Sequence, residues 1–129
     1  MFDNIIPMFR GFPPQQCGLL GFCSPQYVVE TNGNVYPCDF YVLDKYVCGN
    51  VLTNTFDQIR ESKAMTDFLR EDKRMSVLCH DCSFRKMCYG NCKRMNITMF
   101  DDEGCGYKEF LEFAHSSMKD IARNITMKG

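Results

Sequence analysis

Residues 79–92 read CHDCSFRKMCYGNC and place Cys79, Cys82, Cys88 and Cys92 with two, five and three residues between them. This run constrains the chain more than any other. Cys79 and Cys82 are spaced so that one tight turn aims both sulfurs at a single point. Cys88 follows after a short loop, and Cys92 lies four residues further, one helical turn away if the backbone there is helical. A packed core does not call for that spacing. A soft metal centre does, because its thiolates must converge on one ion or cluster.

The composition narrows the context. Nine cysteines in 129 residues could form a secreted disulfide scaffold, but such scaffolds are usually shorter, and an odd count leaves one thiol over. Metal or cluster ligation is the better reading. The start MFDNIIPMFR lacks the apolar block of a signal peptide, and no apolar run is long enough to cross a bilayer. Fifteen basic against sixteen acidic residues give a net charge of −1, which argues against a nucleic-acid partner. The expectation is a cytoplasmic protein of one ordinary domain, with no nucleic-acid and no membrane partner.

Residues 1–16 read as a connector. Pro7, Gly11, Pro13 and Pro14 preclude a long helix, and Phe2, Ile5, Ile6, Met8 and Phe9 have no evident apolar home. Cys17 and Cys23 bound a glycine-punctuated loop. A hairpin follows: Tyr27, Val28 and Val29, a type I′ turn at Asn32-Gly33, and a return through Val35 and Tyr36. The return stops at Pro37 and delivers Cys38 back towards Cys23. Phe40 to Leu43 and Tyr46 to Cys48 are apolar and β-prone, Gly49-Asn50 reads as a turn, and Cys48 as a buried core thiol. A single helix is expected over 55–70, opened by a capping box of Thr55 and Gln58 and striped by Phe56, Ile59, Phe68 and Leu69.

After Cys92, Cys105 sits in a glycine-flanked loop, and a closing helix spans 107–125. Its apolar positions are Phe110, Phe113, Ala114, Met118, Ile121 and Ile125. The tail 124–129 is expected to fray. Its Asn124-Ile125-Thr126 triplet, like Asn96-Ile97-Thr98, is a chance glycosylation match in a cytoplasmic chain. The fold class is therefore a small, cysteine-rich α+β domain: a short antiparallel hairpin, a middle helix, a cysteine loop and a C-terminal helix.

Setting Cys48 aside leaves eight thiols, enough for two four-ligand sites. Two structural zinc sites and two iron–sulfur cubanes both fit that number. A zinc ribbon normally brings two Cys-x2-Cys knuckles, and only one is present. Arg85, Lys86, Lys93 and Arg94 flank the cysteines, where they would stabilise an anionic cluster.

The full pattern runs Cys23, nine residues, Gly33, four residues, Cys38, then Cys79-x2-Cys82-x5-Cys88-x3-Cys92, and finally Cys105. It resembles the SPASM domain of radical S-adenosylmethionine enzymes. The strings FDNIIPMFRGFPPQQC and VVETNGNVYPCDFYVLDKY resemble anaerobic sulfatase-maturating enzymes in particular. The resemblance covers nearly the whole chain. It implies two auxiliary 4Fe–4S clusters, one on Cys17, Cys23, Cys38 and Cys92, the other on Cys79, Cys82, Cys88 and Cys105. It also matches Asp39 to an aspartate that takes a proton while a Cys or Ser of a sulfatase-like peptide is oxidised to formylglycine.

On this likeness residues 17–129 form the auxiliary-cluster domain. Residues 1–16 lead in from a radical barrel that binds S-adenosylmethionine. No Cys-x3-Cys-x2-Cys run for the barrel's own cluster occurs here, so the isolated chain is expected to be inactive. Zinc could occupy the thiols in preparations made in air. The rival readings are a stand-alone two-zinc interaction module and a SPASM domain serving another peptide modification.

Overall fold

The computed structural model describes residues 2–125. In chain order the elements are α1 (Phe2–Met8), β1 (Val28–Val29), β2 (Asn34–Tyr36), β3 (Gly49–Asn50), α2 (Phe56–Arg60), α3 (Lys63–Arg70), α4 (Arg85–Cys88) and α5 (Gly106–Asn124). Short 3-10 turns lie at Cys17–Leu20, Asp39–Tyr41, Asp44–Tyr46, Val77–Cys79 and Asn96–Met99. This is the α+β class expected. The chain divides into two compact units, one of Met1–Phe22 with Lys73–Gly129 and one of Cys23–Asp72.

The Cys23–Asp72 unit is built on an antiparallel sheet of order β1-β2-β3. Val28 pairs with Tyr36 and Val29 with Val35, and β3 adds Asn50 opposite Asn34. The hairpin exists, but its turn is not type I′. The Glu30 N–H donates to the Asn34 carbonyl at 3.0 Å and the Gly33 N–H to the Glu30 carbonyl at 2.8 Å. Gly33 is left-handed at φ +85 and Asn32 is not, whereas a type I′ turn needs both. Asn32 instead accepts from the Asn34 N–H at 2.9 Å, which spends its side chain on a three-residue loop closed by glycine. Gly33 is also required by close approach: a Cβ there would come 2.7 Å from Asn50 Oδ1.

Two expectations fail here. Gly49-Asn50 is a strand rather than a turn, because Asn50 Nδ2 donates to the Asn32 carbonyl and to Asn34 Oδ1, both at 3.0 Å. Residues 39–46 form 3-10 turns rather than β structure. Their aromatic rings decide this: Tyr41 and Tyr46 stack edge-on at 4.8 Å, and Tyr41 meets Phe68 at 5.0 Å.

The single middle helix is two. The capping box is present, with the Gln58 N–H donating to Thr55 Oγ1 at 3.3 Å and the Thr55 N–H to Gln58 Oε1 at 2.9 Å. Ser62 then accepts from the Met65 N–H at 3.2 Å and caps a second helix, ending the first. Of the expected stripe, Ile59 and Phe68 are buried, but Phe56 is 59% exposed. Met65 completes the core with Val35 and Cys48. Cys48 is the buried core thiol expected.

In the other unit Ile5, Leu19, Tyr107, Leu111 and Met118 form the core, with Ile6, Met8 and Phe9 packed against it. Ile5, Ile6, Met8 and Phe9 therefore have a home, correcting their reading as part of an uncovered connector. The helix that carries Ile5, Ile6 and Met8 ends one residue after Pro7. Arg10 Nη1 donates to the Ile125 carbonyl at 2.7 Å, placing a cation at the negative end of α5.

The closing helix is where it was expected, but its buried face differs. Tyr107, Leu111, Met118 and Ala122 face inward, whereas Phe113 is 90% exposed and Ile121 and Ile125 nearly half. Two residues along a helix is about 200° of rotation, so Leu111 and Phe113 cannot share a face. Thr126 of the glycosylation triplet and the end of the expected frayed tail lie outside the described residues.

Leu111→Ala should cost about 2–5 kcal/mol in chemical denaturation. Phe113→Ala, two residues away, should stay within about 0.5 kcal/mol. Equal losses would mean the helix buries the other stripe.

Candidate metal centre

Four cysteines of one unit are brought to one cavity by four different local devices. Cys79 closes the Val77–Cys79 turn, which Ser76 opens by accepting from the Leu78 N–H at 3.2 Å. The Cys82 carbonyl accepts from the Arg85 N–H at 3.1 Å, so Cys82 leads into α4. Cys88 is the last residue of α4. Cys105 reaches the cavity because residues 101–104 turn back on themselves. Asp101 Oδ1 accepts from the Glu103 and Gly104 N–H groups, each at 2.9 Å, and Phe100 pairs with Cys105.

Cys105 is then the N-cap of α5 and makes no capping bond. A thiol replaces the usual hydroxyl or carboxamide there, a choice that gives up about 1 kcal/mol of capping. It places the sulfur at the positive end of the helix dipole.

Cys79, Cys82, Cys88 and Cys105 line a cavity with about 450 Å3 of empty volume, counted with its open mouth. The wall is otherwise largely apolar, with Phe84, Met99, Phe100 and Leu111. Burial pushes the Cys79 and Cys88 thiols up, and the neighbouring thiols add to the rise. Tyr107, on the same wall, is pushed up to about 12 by burial and by Cys88. Several thiolates cannot share so dry a space unless positive charge lies among them. A metal centre supplies it and reverses the balance.

Among the described residues no three His, Cys, Asp or Glu side chains are arranged to hold one metal ion. Four thiols on one largely apolar wall make a four-thiolate donor set, which suits structural zinc or an iron–sulfur cluster.

Cys92 is not a helical turn beyond Cys88. Tyr89, Gly90 and Asn91 are all left-handed, at φ +48, +72 and +56, and Cys92 does not line this cavity. Gly18, next to Cys17, packs on the Cys92 backbone, since a Cβ there would lie 2.8 Å from Cys92 N. Cys17 and Cys92 thus fall in one corner of the Met1–Phe22 and Lys73–Gly129 unit. Cys23 and Cys38 belong to the other unit.

In that unit the Gln26 N–H donates to the Pro37 carbonyl at 2.9 Å, carrying the hairpin ladder up to Cys38. Asp39 is exposed. Its Oδ1 accepts from the Cys38 thiol at 3.3 Å and from the Phe40 N–H at 3.0 Å, while its own N–H donates to Gln26 Oε1 at 3.4 Å.

The polar wall residues Tyr107 and Lys108 were missed in the sequence. Both follow Cys105 at the start of α5, and their place within one turn of a ligand was the available signal. Of the four flanking cations expected, Arg85 lines the cavity and Lys86 does not.

Comparison with known proteins points to iron–sulfur chemistry. Residues 22–83 match the model of the SPASM family, an iron–sulfur cluster-binding domain. The chain is 35% identical over 130 residues to the cysteine-type anaerobic sulfatase-maturating enzyme of Clostridium perfringens (strain 13), covering 96% of this chain and 35% of that protein. It is 28% identical over 110 residues to the serine-type enzyme of Bacteroides thetaiotaomicron, covering 83% of this chain and 27% of that protein. The solved structure of anSMEcpe with bound AdoMet and Cp18Cys peptide superposes with a TM-score of 0.82 at 32% identity, over 97% of this chain and 36% of that one. The chain thus spans about a third of the length of these relatives.

A raised pKa leaves less thiolate at any given pH. Cys48, Cys79 and Cys88 of the metal-free chain should therefore alkylate more slowly than free cysteine near pH about 8.5, and speed up as pH rises further. Mass spectrometry of alkylated peptides reads this; rates equal to free cysteine would contradict it.

Proposed function

We propose that the chain is a SPASM-type iron–sulfur cluster-binding domain, the auxiliary-cluster module of an anaerobic sulfatase-maturating enzyme, on the match of residues 22–83 to that family and the likeness to such enzymes over nearly the whole chain. The observation that carries the reading is the convergence of Cys79, Cys82, Cys88 and Cys105 on one cavity. Cys79 and Cys82 come from one knuckle, Cys88 from the end of α4 and Cys105 from the start of α5. Together they would hold one 4Fe–4S cluster. Cys17, Cys23, Cys38 and Cys92 would hold a second, by the family's partition of its ligands.

A bound cluster of this kind supplies a one-electron acceptor. The substrate is a Cys or Ser side chain of a sulfatase-like peptide. Its oxidation to formylglycine removes a hydrogen atom, a proton and a second electron. By the family likeness Asp39 would take the proton; it is exposed, and the Phe40 N–H holds one carboxylate oxygen at 3.0 Å. Hydrogen-atom removal would belong to the radical S-adenosylmethionine part of such an enzyme, whose Cys-x3-Cys-x2-Cys run this chain lacks. A reducing, cytoplasmic setting is part of the proposal, because the ligands must be thiolates.

Anaerobic reconstitution should give about eight iron and about eight acid-labile sulfide per chain, the content of two cubanes. Cys105→Ser should lower the sulfide to about four, and Cys48→Ala should leave it unchanged. About two zinc with no sulfide, persisting after reconstitution, would overturn the reading.

A further inference from the structure

We infer that Lys108 compensates the charge of the Cys79/Cys82/Cys88/Cys105 centre, and that Glu112, by competing for the same ammonium, sets the reduction potential of that centre. The inference rests on the cluster reading above and goes beyond it, to what tunes the centre.

Lys108 shares the cavity wall with all four thiols. It also stands in the first turn of α5 (Gly106–Asn124). Aligned peptide dipoles make that the wrong end of a helix for a cation, so the helix dipole gains nothing from Lys108. A local preference broken beside a cluster of ligands marks a functional position. The helix meets the cavity here, and an anion within it is what a lysine in this turn would serve.

The partner on the other side is Glu112, one turn along. Lys108 Nζ lies 3.4 Å from Glu112 Oε1, with the two side chains 46% and 52% exposed. An ion pair so wetted is weak, and the ammonium can turn to a stronger anion without losing much. The other cation on the wall is Arg85, which already offsets part of the rise of the Cys79 thiol and whose Nη1 donates to the His80 carbonyl at 3.5 Å. The apolar wall of Phe84, Met99 and Leu111 lowers the local dielectric, which makes each nearby charge count for more.

A cluster on four thiolates is net anionic, and one-electron reduction adds a negative charge. Positive charge at the wall favours the reduced form and raises the potential. Glu112 neutralises part of that charge and lowers it. Two neighbouring side chains on one helix should therefore move the potential in opposite directions.

The test is a redox titration of the anaerobically reconstituted chain with dithionite, followed by electron paramagnetic resonance. The signal of this centre is the one that Cys105→Ser removes. Lys108→Met should shift its midpoint negative, Glu112→Gln should shift it positive, and Lys108→Arg should stay near the parent. Midpoints unmoved in both variants, or shifted with the same sign, would overturn the inference while the iron content of the parent still upholds the cluster. A parent that takes up no iron would sink both together. Should Lys108→Met fail to load, the midpoint of Glu112→Gln decides alone: a positive shift supports the inference and no shift overturns it.

Discussion

Four sulfurs that would be anions at work cannot be gathered into an apolar cavity without positive charge between them. Cys79, Cys82, Cys88 and Cys105 line such a cavity. Burial and mutual repulsion already push the Cys79 and Cys88 thiols up. The Met1–Phe22 and Lys73–Gly129 unit is arranged round that constraint. A 3-10 turn, a four-residue helix and the start of a 19-residue helix each deliver a thiol. Neither of the first two could persist in isolation, because short helices lack the bonds to repay their nucleation. Ligation would tie these pieces to α5, making binding free energy also folding free energy.

The apolar cores support this division of labour. One rests on Ile5, Leu19, Tyr107, Leu111 and Met118, the other on Val35, Cys48, Ile59 and Met65. Each is small, and small cores leave little margin over conformational entropy. The first core touches the cavity directly, since Tyr107 and Leu111 belong to both. Packing and ligation are thus coupled through α5.

Part of the candidate site was legible because its chemistry is local. The Cys79–Cys92 run points to thiolate ligation by spacing alone, and three of its four cysteines line the cavity; the capping box at Thr55 and Gln58 is two side chains completing each other's backbone. What failed was set by partners distant in sequence. Asn50 makes a strand of Gly49-Asn50 by bonding residues of the hairpin sixteen and eighteen positions away, and no propensity carries that. Residues 5–9 gain a home only once α5 is folded. The buried face of α5 was misjudged because Phe113 and Ile121 look as apolar as Leu111, and rotation about the helix decides between them. Ser62 splits the middle helix through one hydroxyl, where the pattern on either side reads continuously. The left-handed run Tyr89, Gly90 and Asn91 turns Cys92 away from Cys88, which spacing alone could not tell from one more helical turn.

The claim on which the rest depends is that these four thiols share one iron–sulfur cluster. Crystals of the anaerobically reconstituted chain, measured on either side of the iron absorption edge, test it directly. The account predicts anomalous density of several iron atoms inside the cavity, in contact with the sulfurs of Cys79, Cys82, Cys88 and Cys105. A single metal ion in their midst, or iron held by a different set of thiols, would contradict it.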